Sequence, residues 1–227
     1  MPLYRIKNKL VLFIHIPKAA GFSIHNHLQM IGDLITPYDH YVDNYSCASQ
    51  HYHADLISQY LNPASVDYIF AVVRNPIERF ISEFKYRHRE PTRSTRIAPS
   101  FLIRKPISHM SETQRTKYFS AWTTKCFTKF HDDPFYLGNH IRPQSEFINV
   151  PNIQIFRLED HLIDLRQSLS EMLSVDLKEF PTDNKSNDLP LKPENHTLER
   201  IYTFYKQDFQ KLNYSLPSKA FYDSFCS

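Results

Sequence analysis

The sequence predicts an α/β fold with a central parallel sheet flanked by helices, and three observations predict it. Residues 10–16 (LVLFIHI) and 68–73 (YIFAVV) are nearly unbroken apolar runs, the pattern of strands buried on both faces. Each run passes within a few residues into apolar positions at helical spacing, the βα alternation of a parallel sheet. Each junction also pairs a cation with a turn-forming proline: Pro17-Lys18 after the first run, and Arg74-Asn75-Pro76 after the second. Such strand-end junctions are where open α/β sheets bind ligands.

Taken in order, the first strand is followed by a helix with Ile24, Leu28 and Ile31 in phase. Residues 62–65 (NPAS) make a turn ahead of the second strand. Beyond that strand Ile77, Phe80, Ile81 and Phe84 mark one helical face, and Pro76 suits the first helical turn, where its missing N–H is no loss. Residues 90–108 hold prolines and basic residues without a period and read as a loop. Ser111 and Gln114 have the spacing of a capping box, opening a helix to about Phe127. Residues 153–157 form a short strand, and 158–173 a helix with Leu162, Leu165, Leu169 and Leu173 in phase. A polar, proline-rich loop at 181–193 precedes a last helix, whose face carries Leu198, Ile201, Tyr202, Tyr205, Phe209 and Leu212.

With 227 residues, 41% hydrophobic and 14% aromatic, the chain has material for a sizeable core and is expected to form one domain, residues 1–227. No run approaches the ~18 apolar residues of a membrane span. Basic residues ahead of residues 10–16 superficially resemble a secretory leader. That apolar stretch is short, lacks a small-residue cleavage site and leads straight into a turn, so it reads as a core strand. Cys47, Cys126 and Cys226 are odd in number and scattered, which suggests neither a disulfide framework nor zinc and points to a reducing, cytoplasmic home. A net charge of +3 suits an anionic ligand and is too small to argue for nucleic acid. Between Lys85 and Lys117 nine basic residues face two acidic ones, either a solvated surface or a surface for an acidic substrate.

The loop PKAAGFS precedes a helix N-terminus, the arrangement that grips phosphate or sulfate. Gly21, one of only 3 glycines, is expected to let the backbone approach an anion and take conformations that a side chain forbids. The loop lacks the Gly-Lys-Ser/Thr of a nucleoside triphosphatase, which speaks against a magnesium-dependent nucleotide kinase. Taken alone, Lys18 and Ser23 equally suit an ordinary helix cap. Arg74 has the chemistry for a bidentate phosphate pair, and Ser82 lies eight residues on, slightly over two helical turns. His51 and His53, in QHYHA, offer a general base near neutral pH, or two metal ligands if they lie on a strand, with no third ligand nominated.

These segments resemble the sulfotransferases that use 3′-phosphoadenosine 5′-phosphosulfate (PAPS), and within them the carbohydrate branch that includes heparan sulfate 2-O-sulfotransferase and many bacterial members. IPKAAGFSI is similar to the family's 5′-phosphosulfate loop and VVRNPIERFISEF to its 3′-phosphate loop. NHIRPQSEFI, IFRLEDHL, and NKSN followed by IYTFYKQDFQKLNY agree in the right order. The resemblance implies a P-loop NTPase-like sulfotransferase fold and transfer of a sulfuryl group to a hydroxyl, on a carbohydrate, without a metal, leaving PAP. It implies that His53 is the base and that Lys18 stabilises the leaving oxygen. Donor binding falls to Lys18, Ala19, Ala20, Gly21, Phe22, Ser23, Arg74 and Ser82, with Asn184, Lys185 and Ser186 in a late loop. The acceptor side falls to His51, His140, Arg142 and Gln144. The family's loop commonly reads Pro-Lys-Thr-x-Gly-Thr-Ser; Ala19 and Phe22 stand in place of its threonines, removing two hydroxyl donors. A non-catalytic module binding an anionic glycan or nucleotide on the same fold is the alternative. The chain reads as a soluble, bacterial, cytoplasmic enzyme with a hydroxyl acceptor, no nucleic acid partner and no membrane span.

Overall fold

The computed structural model describes residues 1–41, 46–89, 106–180 and 189–215. Its elements in chain order are β1 (Leu3–Ile6), β2 (Lys9–Ile14), α1 (Gly21–Gln29), β3 (Asp33–Leu34), α2 (Ala54–Tyr60), β4 (Tyr68–Val73), α3 (Pro76–Arg87), α4 (Glu112–Asp132), β5 (Ile153–Arg157), α5 (Ile163–Leu173), α6 (Asn195–Phe204) and α7 (Lys206–Lys211). Among the described residues no helix is long and apolar enough to cross a membrane. The chain divides into two compact units, Met1–Asn75 with Phe130–Asp183, and Pro76–Lys129 with Asn184–Ser227.

The first unit holds a five-stranded sheet in the order β3-β1-β2-β4-β5. Its centre is parallel as expected: Ile14 of β2 pairs with Ala71 of β4, and Val73 of β4 with Arg157 of β5. All six residues of β4 are buried, which is why this strand is written as an unbroken apolar run. The sheet as a whole is mixed, because β1 and β3 join antiparallel. The expected α/β fold with a parallel sheet at its centre is thus what the chain adopts, with two strands added at one edge by antiparallel pairing. Residues ahead of position 10 form β1, with Leu3, Tyr4 and Ile6 buried and Arg5 exposed, paired to β2 through a tight turn in which Lys7 takes a φ of 53°. Phe13 stacks on Phe70 at 5.0 Å and Phe70 meets Phe156 edge-on, so aromatic contacts run across the three parallel strands.

The helix expected at 158–173 begins only at Ile163. Residues Leu158–Asp160 form a 3₁₀ turn, and His161 and Leu162 both take positive φ, so the backbone turns before the helix can propagate. Leu165, Leu169 and Leu173 then bury one face.

In the second unit Pro76 does open α3, and Ser111 and Gln114 do form the reciprocal capping box of α4, with bonds of 2.9 and 3.2 Å. Its core is aromatic: Phe80 lies 4.8 Å from Trp122, Phe84 4.9 Å from Phe119, and Phe127 stacks on Phe204 at 4.0 Å. The expected last helix is broken at Tyr205 into α6 and α7, yet Leu198, Ile201, Tyr205, Phe209 and Leu212 share the predicted burial. Arg79, fully buried, lies over the Tyr205 ring at 5.2 Å. Burial raises the Tyr205 hydroxyl's pKa far above its ordinary value, against the opposing charge of Arg79, with Asp208 and Glu83 nearby adding to the rise. The second arginine of the RNPIER segment is therefore a core cation of this unit, where Glu83 and Asp208 are also buried.

Candidate functional site

Because β2, β4 and β5 run parallel, their C-terminal ends share one edge of the sheet, and the cations Lys18, Arg74 and Arg157 all follow or end these strands there. After β2 the chain passes through a loop in which Lys18 (φ 68°) and Ala20 (φ 58°) are both left-handed, and α1 starts at Gly21. No side chain caps α1, and its first turn holds no acidic residue. The positive end of the helix dipole therefore meets no side-chain cap from Ala20 and no carboxylate in the first turn, a setting that suits an anion, with Lys18 half-buried alongside. Ala19 and Ser23 are buried, Ala20 is half-buried, and the Phe22 ring is 53% exposed.

Gly21 does not take the conformation that a side chain would forbid. Its φ is not positive; the left-handed positions belong to Lys18 and Ala20. What it supplies is space. A Cβ at residue 21 would lie 1.8 Å from Nε2 of His15, so the imidazole occupies the volume that a side chain would take.

His51 and His53 lie in a 3₁₀ turn (Ser49–His51) and at the start of α2, not on a strand, so the metal reading based on one strand face does not apply. Among the described residues no group of His, Cys, Asp or Glu is placed to hold a metal ion. Nδ1 of His51 donates to the His15 carbonyl at 3.3 Å, which leaves Nε2 as the basic nitrogen, facing the Gln50 amide at 3.2 Å. The His51 ring meets those of His15 and His140 edge-on, at 4.7 and 4.8 Å. Burial holds it neutral, with its pKa well below the usual range, and the neighbouring imidazoles act in the same direction. His53 is pushed down to about 4, by burial first and by the Arg142 charge second, against the pull of Asp55.

The segment 139–146, expected to face the acceptor, turns inward. Asn139 is fully buried; its amide donates to the His51 carbonyl at 2.9 Å and faces Nδ1 of His53 at 3.4 Å. Its oxygen accepts from Nε of Arg142 at 2.9 Å, which fixes which way the amide points. The rest of the Arg142 guanidinium bonds Glu146 and the Pro134 carbonyl, between the rings of Phe130 and Phe135. Gln144 clamps the main chain of Arg74 in both directions, accepting from its N–H at 3.0 Å and donating to its carbonyl at 2.8 Å. Arg142 and Gln144 therefore brace the histidine turn and the end of β4 from inside. His140 is half-buried against His51.

Two residues that the sequence did not nominate complete this bracing: Asn139, and Glu159, which accepts from the Asn75 N–H at 2.6 Å. No local signal marks these roles, because the Asn139 bond to the His51 carbonyl spans 88 residues and the Glu159 bond to Asn75 spans 84. Ser82 is buried in α3, in the second unit. Asn184, Lys185 and Ser186 lie outside the described residues.

The sulfotransferase family's model matches residues 3–215, a span that runs across both units. No curated protein matches the chain.

Proposed function

Because the chain belongs to the sulfotransferase family, we propose that it moves a sulfuryl group from PAPS to a hydroxyl of a carbohydrate, the whole chain working as one sulfotransferase domain. One observation carries the donor assignment: the uncapped, acid-free N-terminus of α1, entered through a loop with Lys18 beside two left-handed turns. That end of the helix is suited to the 5′-phosphosulfate. Arg74, whose main chain is pinned by Gln144, takes the 3′-phosphate. The part of Ser82 in holding that phosphate rests on resemblance to the family.

In the reaction the acceptor oxygen attacks sulfur in line with the departing phosphate oxygen. An O–S bond forms as the S–O bond to phosphate breaks. His53 takes the acceptor's proton, and Lys18 offsets the charge gathering on the leaving oxygen. The protein needs to do little covalent work, so positioning and electrostatics supply the rate, as in phosphoryl transfer.

Titration calorimetry with PAP and with the nucleotide lacking its 3′-phosphate tests the donor site. Arg74→Ala should weaken PAP by about 10- to 100-fold, the loss of one charge-assisted pair, and leave the other nucleotide unchanged. Equal weakening of both would remove Arg74 from the 3′-phosphate.

A further inference from the structure

His15, the residue after β2, is 6% exposed, and the chemistry above gives it no part. Its ring stacks on Phe13 at 5.5 Å and on Tyr38 at 6.0 Å, and its Nδ1 shares a 3.2 Å hydrogen bond with the Tyr38 hydroxyl. The opposite edge of the ring fills the space over Gly21 in the anion loop. A third side of the ring meets His51 edge-on at 4.7 Å, while the His15 carbonyl accepts the His51 Nδ1 proton. One residue thus touches the loop through its side chain and His51 through both ring and backbone.

We propose that His15 is a positioning residue that sets the distance between the anion loop and the His51 imidazole. In a close-packed interior a ring held between two groups cannot move toward one without releasing the other. The Tyr38 hydrogen bond and the Phe13 stack remove its remaining freedom. Burial keeps the ring uncharged, its pKa lowered to about 3, with the charges of His140, the amino terminus, His25 and Lys18 adding to the effect. The spacer therefore adds no charge of its own, and Lys18 stays the cation of the loop. The inference rests on the donor reading for its functional consequence, but not for its geometry.

The test is a compensating pair in the full chain. Gly21→Ala drives a methyl into the imidazole; the misplaced loop should weaken PAP about 100-fold and shift the His51 signals in spectra of ring-labelled histidines. His15→Asn keeps an acceptor for Tyr38 and vacates the space over residue 21. His15→Asn/Gly21→Ala should therefore regain PAP affinity to within about tenfold of the unaltered chain, a coupling that independent sites do not show. If Gly21→Ala does not fold, recovery of folding in the pair supports the proposal equally. His15→Asn alone should lower kcat more than it weakens PAP. The proposal is overturned by a double variant no better than Gly21→Ala, or by His51 signals that stay fixed in His15→Asn. Those signals are read without nucleotide, so failure of the unaltered chain to bind PAP would sink the donor reading and leave this coupling to be decided separately.

Discussion

His51 and His53 stand two residues apart and are buried to nearly the same degree, yet opposite kinds of partner hold their imidazoles. A carbonyl receives the Nδ1 proton of His51, so the other nitrogen, Nε2, is basic and faces the Gln50 amide. An amide N–H, aimed by Arg142, faces Nδ1 of His53. At 3.4 Å that contact is long, and the same amide has the Cys47 sulfur at an equal distance, so it does not fix the His53 tautomer and leaves Nε2 able to accept a proton. His51 is built into the wall beside the anion loop; His53 is tied to the 139–146 brace. Equal spacing in sequence thus says little about role, because the partner of each ring, not its neighbour in the chain, sets its chemistry.

The comparison breaks most visibly on turnover. His53→Ala should lower kcat by about 1000-fold, the worth of a general base, with PAP affinity within about threefold of the unaltered chain. His51→Ala should cost less in kcat and weaken PAP as well, since it loosens the wall of the loop. Kinetics combined with calorimetry separate the two, and the reverse order would make His51 the base. A sharper contrast uses Asn139→Asp, which turns the donor facing His53 into an anionic acceptor. In the unaltered chain the acid limb of kcat/KM should inflect near pH 4, where His53 takes up its proton. In the variant it should move up by about one to two pH units, because a nearby carboxylate favours imidazolium. A limb that stays put would detach the base from Asn139.

The smallest effect is on stability. His15, His51 and His53 are all neutral in the fold at pH values where a free histidine is charged. Their folded pKa values lie below the unfolded value of about 6.5, so the unfolded chain binds more protons as pH drops. Stability is full above pH 6.5 and is lost as pH falls toward 4 and then 3. Each histidine adds a slope of at most about 1.4 kcal/mol per pH unit within its window. Urea unfolding of His53→Ala should show a shallower slope between pH 6.5 and 4 by up to that amount; an unchanged slope would mean that His53 titrates normally in the fold.

The parallel centre of the sheet was legible because a strand buried on both faces has no polar positions to interrupt its run. β1 and β3 were not, being only four and two residues long, and α2 has too few residues to show a period. Nothing in the pattern of the last helix marked its break at Tyr205, since the buried face continues through it. Motifs nominated Lys18, Arg74 and the histidine pair. They carried no sign of the ring six residues earlier that fills the space beside Gly21, or of the inward contacts of Arg142 and Gln144. Gln144 answers to a backbone 70 residues away, and no local pattern records that pairing.

We propose that this chain transfers a sulfuryl group from PAPS to a hydroxyl. Incubating it with sulfur-35-labelled PAPS and a panel of neutral and acidic oligosaccharides tests that claim directly. The expected result is label on one class of acceptor with stoichiometric release of PAP, lost in His53→Ala while PAP still binds. PAPS that binds tightly, is never consumed and labels nothing would contradict it, and would make the chain a binding module on a sulfotransferase fold.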